Sequence, residues 1–194
     1  TPREALCKVL ENVNTGGVAL TVFELVTAPF ATYEFDLRKD WEECRDIIRG
    51  KNEPLNTDVM KGVDETAFLT TITLYTSYFA ETATTCKKKD VLGLEFESYQ
   101  ANKAAVLEGY KMARKFLFSQ YVFRMRDLPY TTQLVPLAAI CAVIRKSSFN
   151  LPQTQNILSR WFWCGIMGEM YGGANETRFA NDIEDVVAAI QGKE

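Results

Sequence analysis

Asn14-Thr15-Gly16-Gly17-Val18-Ala19-Leu20-Thr21-Val22-Phe23-Glu24-Leu25 carries the clearest structural pattern in the chain. Two adjacent glycines break a helical periodicity, and Thr21 with Glu24 restarts a helix at once. At this spacing the Thr21 hydroxyl accepts from the Glu24 N–H, and the Glu24 carboxylate accepts from the Thr21 N–H. That is a reciprocal capping box. The expectation is helix, tight corner, helix.

Both sides of this corner continue the same way. Thr1 as cap, Pro2 at the first helical position and Glu4 start a helix over about Pro2–Val13, with Ala5, Leu6, Val9, Leu10 and Val13 on one face. Beyond the corner, Val22 to Ala28 predicts a short helix stopped by Pro29, then an extended link over Phe30–Phe35. Leu37–Arg49 follows with a buried stripe of Leu37, Trp41, Cys44 and Ile48, and Gly50 stands where a left-handed terminating residue is wanted. Lys51–Gly62 reads as loop. Asp64 or Thr66 begins a helix through Phe68, Leu69, Ile72, Tyr75 and Phe79, although its threonines and aromatics also suit a strand. Lys87-Lys88-Lys89-Asp90 reads as a basic loop, and Ser98–Tyr121 as a long helix.

After the Leu128-Pro129-Tyr130 turn, Thr131 or Thr132 starts an apolar helix reaching Arg145 and bent at Pro136. A further helix begins at Pro152 with Ile157, Trp161, Cys164 and Met167 as its stripe. Asn175 caps a last helix carrying Phe179, Ile183, Val186, Val187 and Ile190, and Gly192 follows its end. No segment alternates with period two, and no repeat or linker divides the chain. The expected fold is all-α: one helical domain over 1–194, of about seven or eight helices and no substantial sheet.

Bulk composition narrows the function. With 47% hydrophobic and 24% charged residues the chain can bury a core and is not of disordered type. Its net charge of −3 means that any nucleic-acid contact needs a local basic patch. Histidine is absent, which excludes histidine-based nucleophile activation, histidine-ligated zinc and an HNH-type nuclease site. Five cysteines (Cys7, Cys44, Cys86, Cys141, Cys164) are widely spaced, and four fall on apolar stripes, pointing to free thiols in a reducing cytoplasm. The longest apolar run, Leu134–Ile144, is too short to span a bilayer. The chain starts without a methionine, so a piece of a longer protein is expected.

Several groups are candidates for chemistry. The Asn14, Thr15, Gly16, Gly17 corner offers backbone N–H groups to a nucleotide or phosphate, although glycines that merely permit positive φ are the more economical reading. Lys87, Lys88 and Lys89 with Arg124 and Arg126 are the best placed cations for DNA contact, although a short charge run is usually just a solvated loop. Trp161, Phe162, Trp163 and Tyr171 could stack bases, but their helical spacing favours packing. Glu169, Glu176 and Arg178 flank the Gly172-Gly173 break, where a salt bridge bracing the turn is the expected role of Arg178. Asp182, Glu184 and Asp185 read as the solvated face of the last helix rather than a metal site. No catalytic constellation and no metal site are predicted.

Four ordered stretches carry a resemblance: Asn14 to Glu24 with Ala28; Asp127-Leu128-Pro129-Tyr130-Thr131-Thr132-Gln133-Leu134-Val135-Pro136-Leu137; Arg160-Trp161-Phe162-Trp163-Cys164-Gly165; and Glu169-Met170-Tyr171-Gly172-Gly173 with Glu176-Thr177-Arg178 and Asp182. Together they resemble the GmrSD-like family of bacterial defence proteins, in the helical region that follows the ParB-like domain. The matching residues are Asn14, Thr15, Gly16, Gly17, Glu24, Tyr171, Glu176 and Arg178, and the resemblance assigns them no role. The family's Asp-Gly-Gln-Gln-Arg motif and its histidine-bearing HNH-like nuclease domain are both missing from this sequence.

The resemblance thus implies a non-catalytic middle or scaffold domain of a nucleotide-dependent restriction endonuclease acting on foreign, modified DNA. Its partners would be the ParB-like and nuclease domains of the parent chain, with DNA reached through the parent. A nucleoside triphosphate and a divalent metal would belong to the parent, with no cofactor in this segment. A helical protein–protein interaction scaffold is the alternative. So is a small-molecule sensor with a cavity lined by residues such as Tyr75, Tyr110 and Trp163.

Overall fold

The computed structural model describes residues 20–51 and 58–192. Among these residues the chain forms eight α-helices and no strand. They are α1 (Val22–Ala31), α2 (Leu37–Arg49), α3 (Glu65–Tyr78), α4 (Lys88–Leu92), α5 (Phe96–Ser119), α6 (Leu134–Phe149), α7 (Pro152–Met167) and α8 (Glu176–Gln191). Short 3₁₀ turns occupy Asp58–Gly62, Met125–Asp127 and Thr131–Gln133. The expected helix over Pro2–Val13 and the Asn14–Gly17 corner lie outside the described residues.

The capping box at Thr21 is present: the Glu24 N–H donates to Thr21 Oγ1 at 3.2 Å, and the Thr21 N–H donates to Glu24 Oε2 at 2.9 Å. Pro29 does not stop α1, which runs on to Ala31 before the Thr32–Glu34 turn, so the link expected over Phe30–Phe35 is shorter. Helix α2 matches its predicted bounds. Asp36 accepts from the Arg38 and Lys39 N–H groups, Leu37, Trp41, Cys44 and Ile48 are buried, and Gly50 ends it at φ 65°.

In α3, Asp64 is the cap, accepting from the Ala67 N–H at 2.7 Å. Its threonines suit the helix because their hydroxyls donate one turn back: Thr70 to Thr66 O, Thr71 to Ala67 O and Thr73 to Leu69 O. Those bonds satisfy polar groups that an apolar environment would otherwise penalise, and Thr71 and Thr73 are buried. Strand-prone composition is overridden here by packing on several sides.

Helix α6 is the hub, packing against α3, α5 and α8. It is buried nearly all round, from Leu134 to Ala142 and at Ile144, as expected of an apolar helix enclosed by others. Pro136 does not bend it. As the third residue of α6, its missing N–H falls among the first-turn donors that have no intrahelical acceptor. The break comes instead at Arg145, with φ 58° and ψ 172°. The 3₁₀ turn at Thr131–Gln133 takes the place of the expected first helical turn.

Gly109 lets α5 and α6 touch. A Cβ at that position would stand 2.3 Å from the Ala138 carbonyl oxygen and 2.9 Å from Ala142 Cβ. A Gly109→Ala substitution gains about 1 kcal/mol of helix propensity but overpacks a backbone contact at a cost of about 1–3 kcal/mol. The expected net result is a modest fall in melting temperature by circular dichroism, with the helical spectrum retained.

Helix α7 differs in phase from its prediction. Thr154, Leu158, Phe162 and Gly165 are buried, whereas Cys164 is exposed and Met167 is 79% exposed. The buried face is thus rotated by about one position, because Gly165 is the residue that faces Tyr171 and Gln133. Helix α5 begins and ends two residues earlier than expected, at Phe96 and Ser119. Lys88–Leu92 is a helical turn rather than a loop. Asn175 occupies the cap position of α8 without a side-chain capping bond.

Candidate functional site

The three C-terminal stretches singled out in the sequence meet at one buried joint. After α7 the chain folds back through Gly168 and Glu169, with Met170 N–H donating to Gly165 O at 3.0 Å, and this delivers Tyr171 inward. The Tyr171 ring stacks near Phe179 at 6.3 Å and tilts against Tyr130 at 6.2 Å. Its other side meets Gly165, where an added Cβ would lie 2.8 Å from the ring and 3.2 Å from Gln133 Nε2. Gln133, fully buried, donates to Phe162 O at 3.1 Å. Asn175 reaches across to Tyr171 O at 3.2 Å and to Thr132 Oγ1 at 3.5 Å.

At the centre is Asp182, 2% exposed. The Tyr171 hydroxyl donates to Asp182 Oδ2 at 2.6 Å, and Arg178 Nε lies 2.9 Å from Asp182 Oδ1. Asp182 had read as part of a solvated face, and the structure corrects this. The missed signal was its spacing of four from Arg178, which brings the two side chains together on a helix. Arg178 does not bridge the Gly172-Gly173 break: it pairs with Asp182, one turn along the same helix, rather than with Glu169 or Glu176.

Burial pushes the Asp182 carboxyl above its ordinary value, against the opposing pull of Tyr171, Trp161 and Arg178. Burial, then the Asp182 charge, pushes the Tyr171 phenol up. Both carboxylate oxygens are engaged, and the phenol is far from ionising. The cluster is built to hold α7 and α8 to the Thr131–Gln133 turn, not to take a proton from a substrate.

A carboxyl raised in the folded state binds its proton more tightly there than in the unfolded chain. Its contribution to stability is therefore largest below the ordinary Asp value of 3.8 and is lost as pH rises through the raised value. Asp182→Asn removes that term. The melting temperature of the native protein minus that of Asp182→Asn should rise as pH falls from about 7 to about 4. A difference independent of pH would contradict the buried carboxyl.

A second polar cluster ties α2 to α5. Tyr99 Oη and Lys103 Nζ each donate to Asp40 at 2.5 Å, and the Lys103 ammonium lies 5.6 Å from the Tyr99 ring centroid and 5.9 Å from that of Phe35. Nothing in the one-dimensional pattern pairs residues so far apart. Burial pushes the Cys44 and Cys86 thiols up to about 12, and Cys141 higher still, so none is a nucleophile at neutral pH.

The remaining sequence candidates are dispersed. Glu24 is held below its ordinary value by the Thr21 N–H and stands 3.6 Å from Arg38. Asn14, Thr15, Gly16 and Gly17 lie outside the described residues. Lys87 and Lys89 share an open cleft of about 460 Å³ with Asp90, Glu176 and Thr177, while Lys88 is exposed nearby and does not line it. Arg124 is not in that cleft; it forks onto Asp127 at 3.0 and 3.1 Å, and Arg126 stands 4.0 Å from the same carboxylate. Next to these arginines, Phe118, Tyr121 and Phe123 form an exposed aromatic patch, with Tyr121 at φ 61° and 82% exposed.

Among the described residues no group of three or more Cys, Asp or Glu is arranged to hold a metal ion. No described helix is long and apolar enough to cross a membrane. Compared with models of protein families, with curated proteins and with solved structures, the chain matches none.

Proposed function

We propose that the chain is a helical middle domain of a GmrSD-like, nucleotide-dependent restriction endonuclease that attacks foreign, modified DNA. It contributes no catalytic group. It holds the ParB-like and nuclease parts of the parent in register and relays nucleotide state between them through shifts in helix packing. Nucleoside triphosphate, divalent metal and the scissile strand belong to those other parts.

One observation carries this reading. The stretches 127–137, 160–165 and 169–182, on which most of the resemblance rests, converge on the joint around Tyr171, Asp182 and Gly165. A chance set of short matches has no reason to share one buried contact. The engaged state of the Asp182 carboxylate and the raised Tyr171 phenol support a structural rather than a chemical role for the joint. The interaction-scaffold alternative draws on the exposed patch of Phe118, Tyr121 and Phe123 beside Arg124 and Arg126, a composition that protein interfaces favour.

The intact parent polypeptide and the 194-residue chain would be incubated with modified and unmodified duplexes, with and without nucleoside triphosphate and a divalent metal. Nucleotide-stimulated cleavage by the parent alone is expected. Cleavage by the 194-residue chain itself, or a parent without nucleotide-stimulated cleavage, would overturn the proposal.

A further inference from the structure

The cleft between α3, α5 and α6 differs chemically from the hydroxyl-lined cleft around Lys87. Its volume is about 470 Å³, within the range of small-molecule sites. Tyr75, Ala105, Met112 and Ala142 supply a mainly apolar floor, and Glu108, Arg145 and Lys146 form the rim. The two alanines leave the floor open where Gly109 draws α5 and α6 into contact. Of the three aromatics expected to line a ligand cavity, only Tyr75 does so: Tyr110 is fully buried against Thr71, and the Trp163 indole donates to Gln120.

The charge at the rim is unbalanced. Glu108 is shared by Lys111 at 2.7 Å and Lys146 at 2.9 Å, so one carboxylate faces two ammonium groups before Arg145 is counted. The Arg145 side chain is exposed and makes no hydrogen bond or ion pair with a described residue. Its backbone, at φ 58° and ψ 172°, lies in a region reserved almost entirely for glycine, which costs about 1–3 kcal/mol. A strained residue holding an unpaired guanidinium over an apolar floor is the arrangement expected of an anion clamp.

We propose that this cleft binds an amphipathic organic anion, its apolar body against Tyr75 and Met112 and its carboxylate or sulfonate on Arg145 and Lys146. The site is independent of the nuclease reading, since none of its residues belongs to the joint at Tyr171.

The fluorescent anion 8-anilinonaphthalene-1-sulfonate serves as probe in titrations of the whole chain. Saturable one-to-one binding is expected, weakening as salt rises. Arg145→Gly should raise the melting temperature by relieving strain and weaken the probe about tenfold. Ala105→Leu, which fills the floor and leaves every charge in place, should abolish binding. Tyr121→Ser, at the exposed aromatic patch, should leave it unchanged. Binding that survives both Arg145→Gly and Ala105→Leu, or that is lost in Tyr121→Ser, would overturn the proposal.

Discussion

Arg114→Ala is expected to be the most damaging single substitution in the described chain, at about 3–5 kcal/mol. Arg114 is fully buried on α5, and its Nη1 donates to Ile47 O at 3.2 Å and Ile48 O at 2.9 Å. It therefore caps the carbonyl end of α2 with a full positive charge, where the helix dipole is negative. Gly50 is part of the same device. Its φ of 65° favours glycine, and a Cβ there would stand 2.3 Å from the Arg114 guanidinium. Truncation leaves a large cavity and removes the charged donor to Ile47 O and Ile48 O. The apolar Arg114→Met keeps most of the volume and should cost less, which separates the cavity from the lost cap. Thermal unfolding should show a drop of about 6–20 °C for alanine, at about 2–4 °C per kcal/mol for a chain of this size. A drop within 2 °C of zero would contradict the capping role.

Asp182→Ala is expected to cost about 2–3 kcal/mol, because it leaves the Tyr171 hydroxyl buried without its acceptor. Tyr171 is 3% exposed and cannot find water in compensation. Arg178 loses less, since a third of its side chain already meets solvent, and Arg178→Gln should cost under about 1 kcal/mol. Arg178→Gln is expected to cost least, behind Asp182→Ala and Tyr171→Phe, because both of those side chains are buried and Arg178 is not. A denaturant series with Arg178→Gln as the worst of the three would show that the ion pair, not the buried hydrogen bond, secures the turn.

Most of the helices could be read from local chemistry. Thr21 with Glu24, Asp36 with Gly50, and Asp64 mark their helix boundaries by capping, which depends on neighbours in sequence. The stripe of α2 was legible for the same reason: one face is buried and the other meets water. Helix α7 was not legible in phase, because Trp161, Phe162, Trp163 and Cys164 are all apolar or nearly so, and periodicity cannot choose between adjacent faces. Gly165 chose, since a side chain there would stand 2.8 Å from the Tyr171 ring. Pro29 and Pro136 misled for different reasons. Pro136 stands in the first turn, where its missing N–H has no intrahelical acceptor to lose, whereas Pro29 gives up a bond but only Phe30 and Ala31 follow it in α1. The joint at Tyr171 was half visible: its stretches stood out as words, yet Asp182 counted as solvent-facing because an aspartate on a charged helix usually is. Arg145 and Arg114 carried no signal at all, since strain and long-range capping exist only once the chain is folded.

A double-mutant cycle on Tyr171→Phe and Asp182→Asn, read by equilibrium unfolding, tests most directly whether the buried bond at the centre of the joint fixes Tyr171 onto α8. A coupling of about 1–2 kcal/mol is predicted, well beyond the ~0.3–0.5 kcal/mol within which independent sites add. Additive losses would mean that Tyr171 and Asp182 act separately, and would contradict a joint centred on their hydrogen bond.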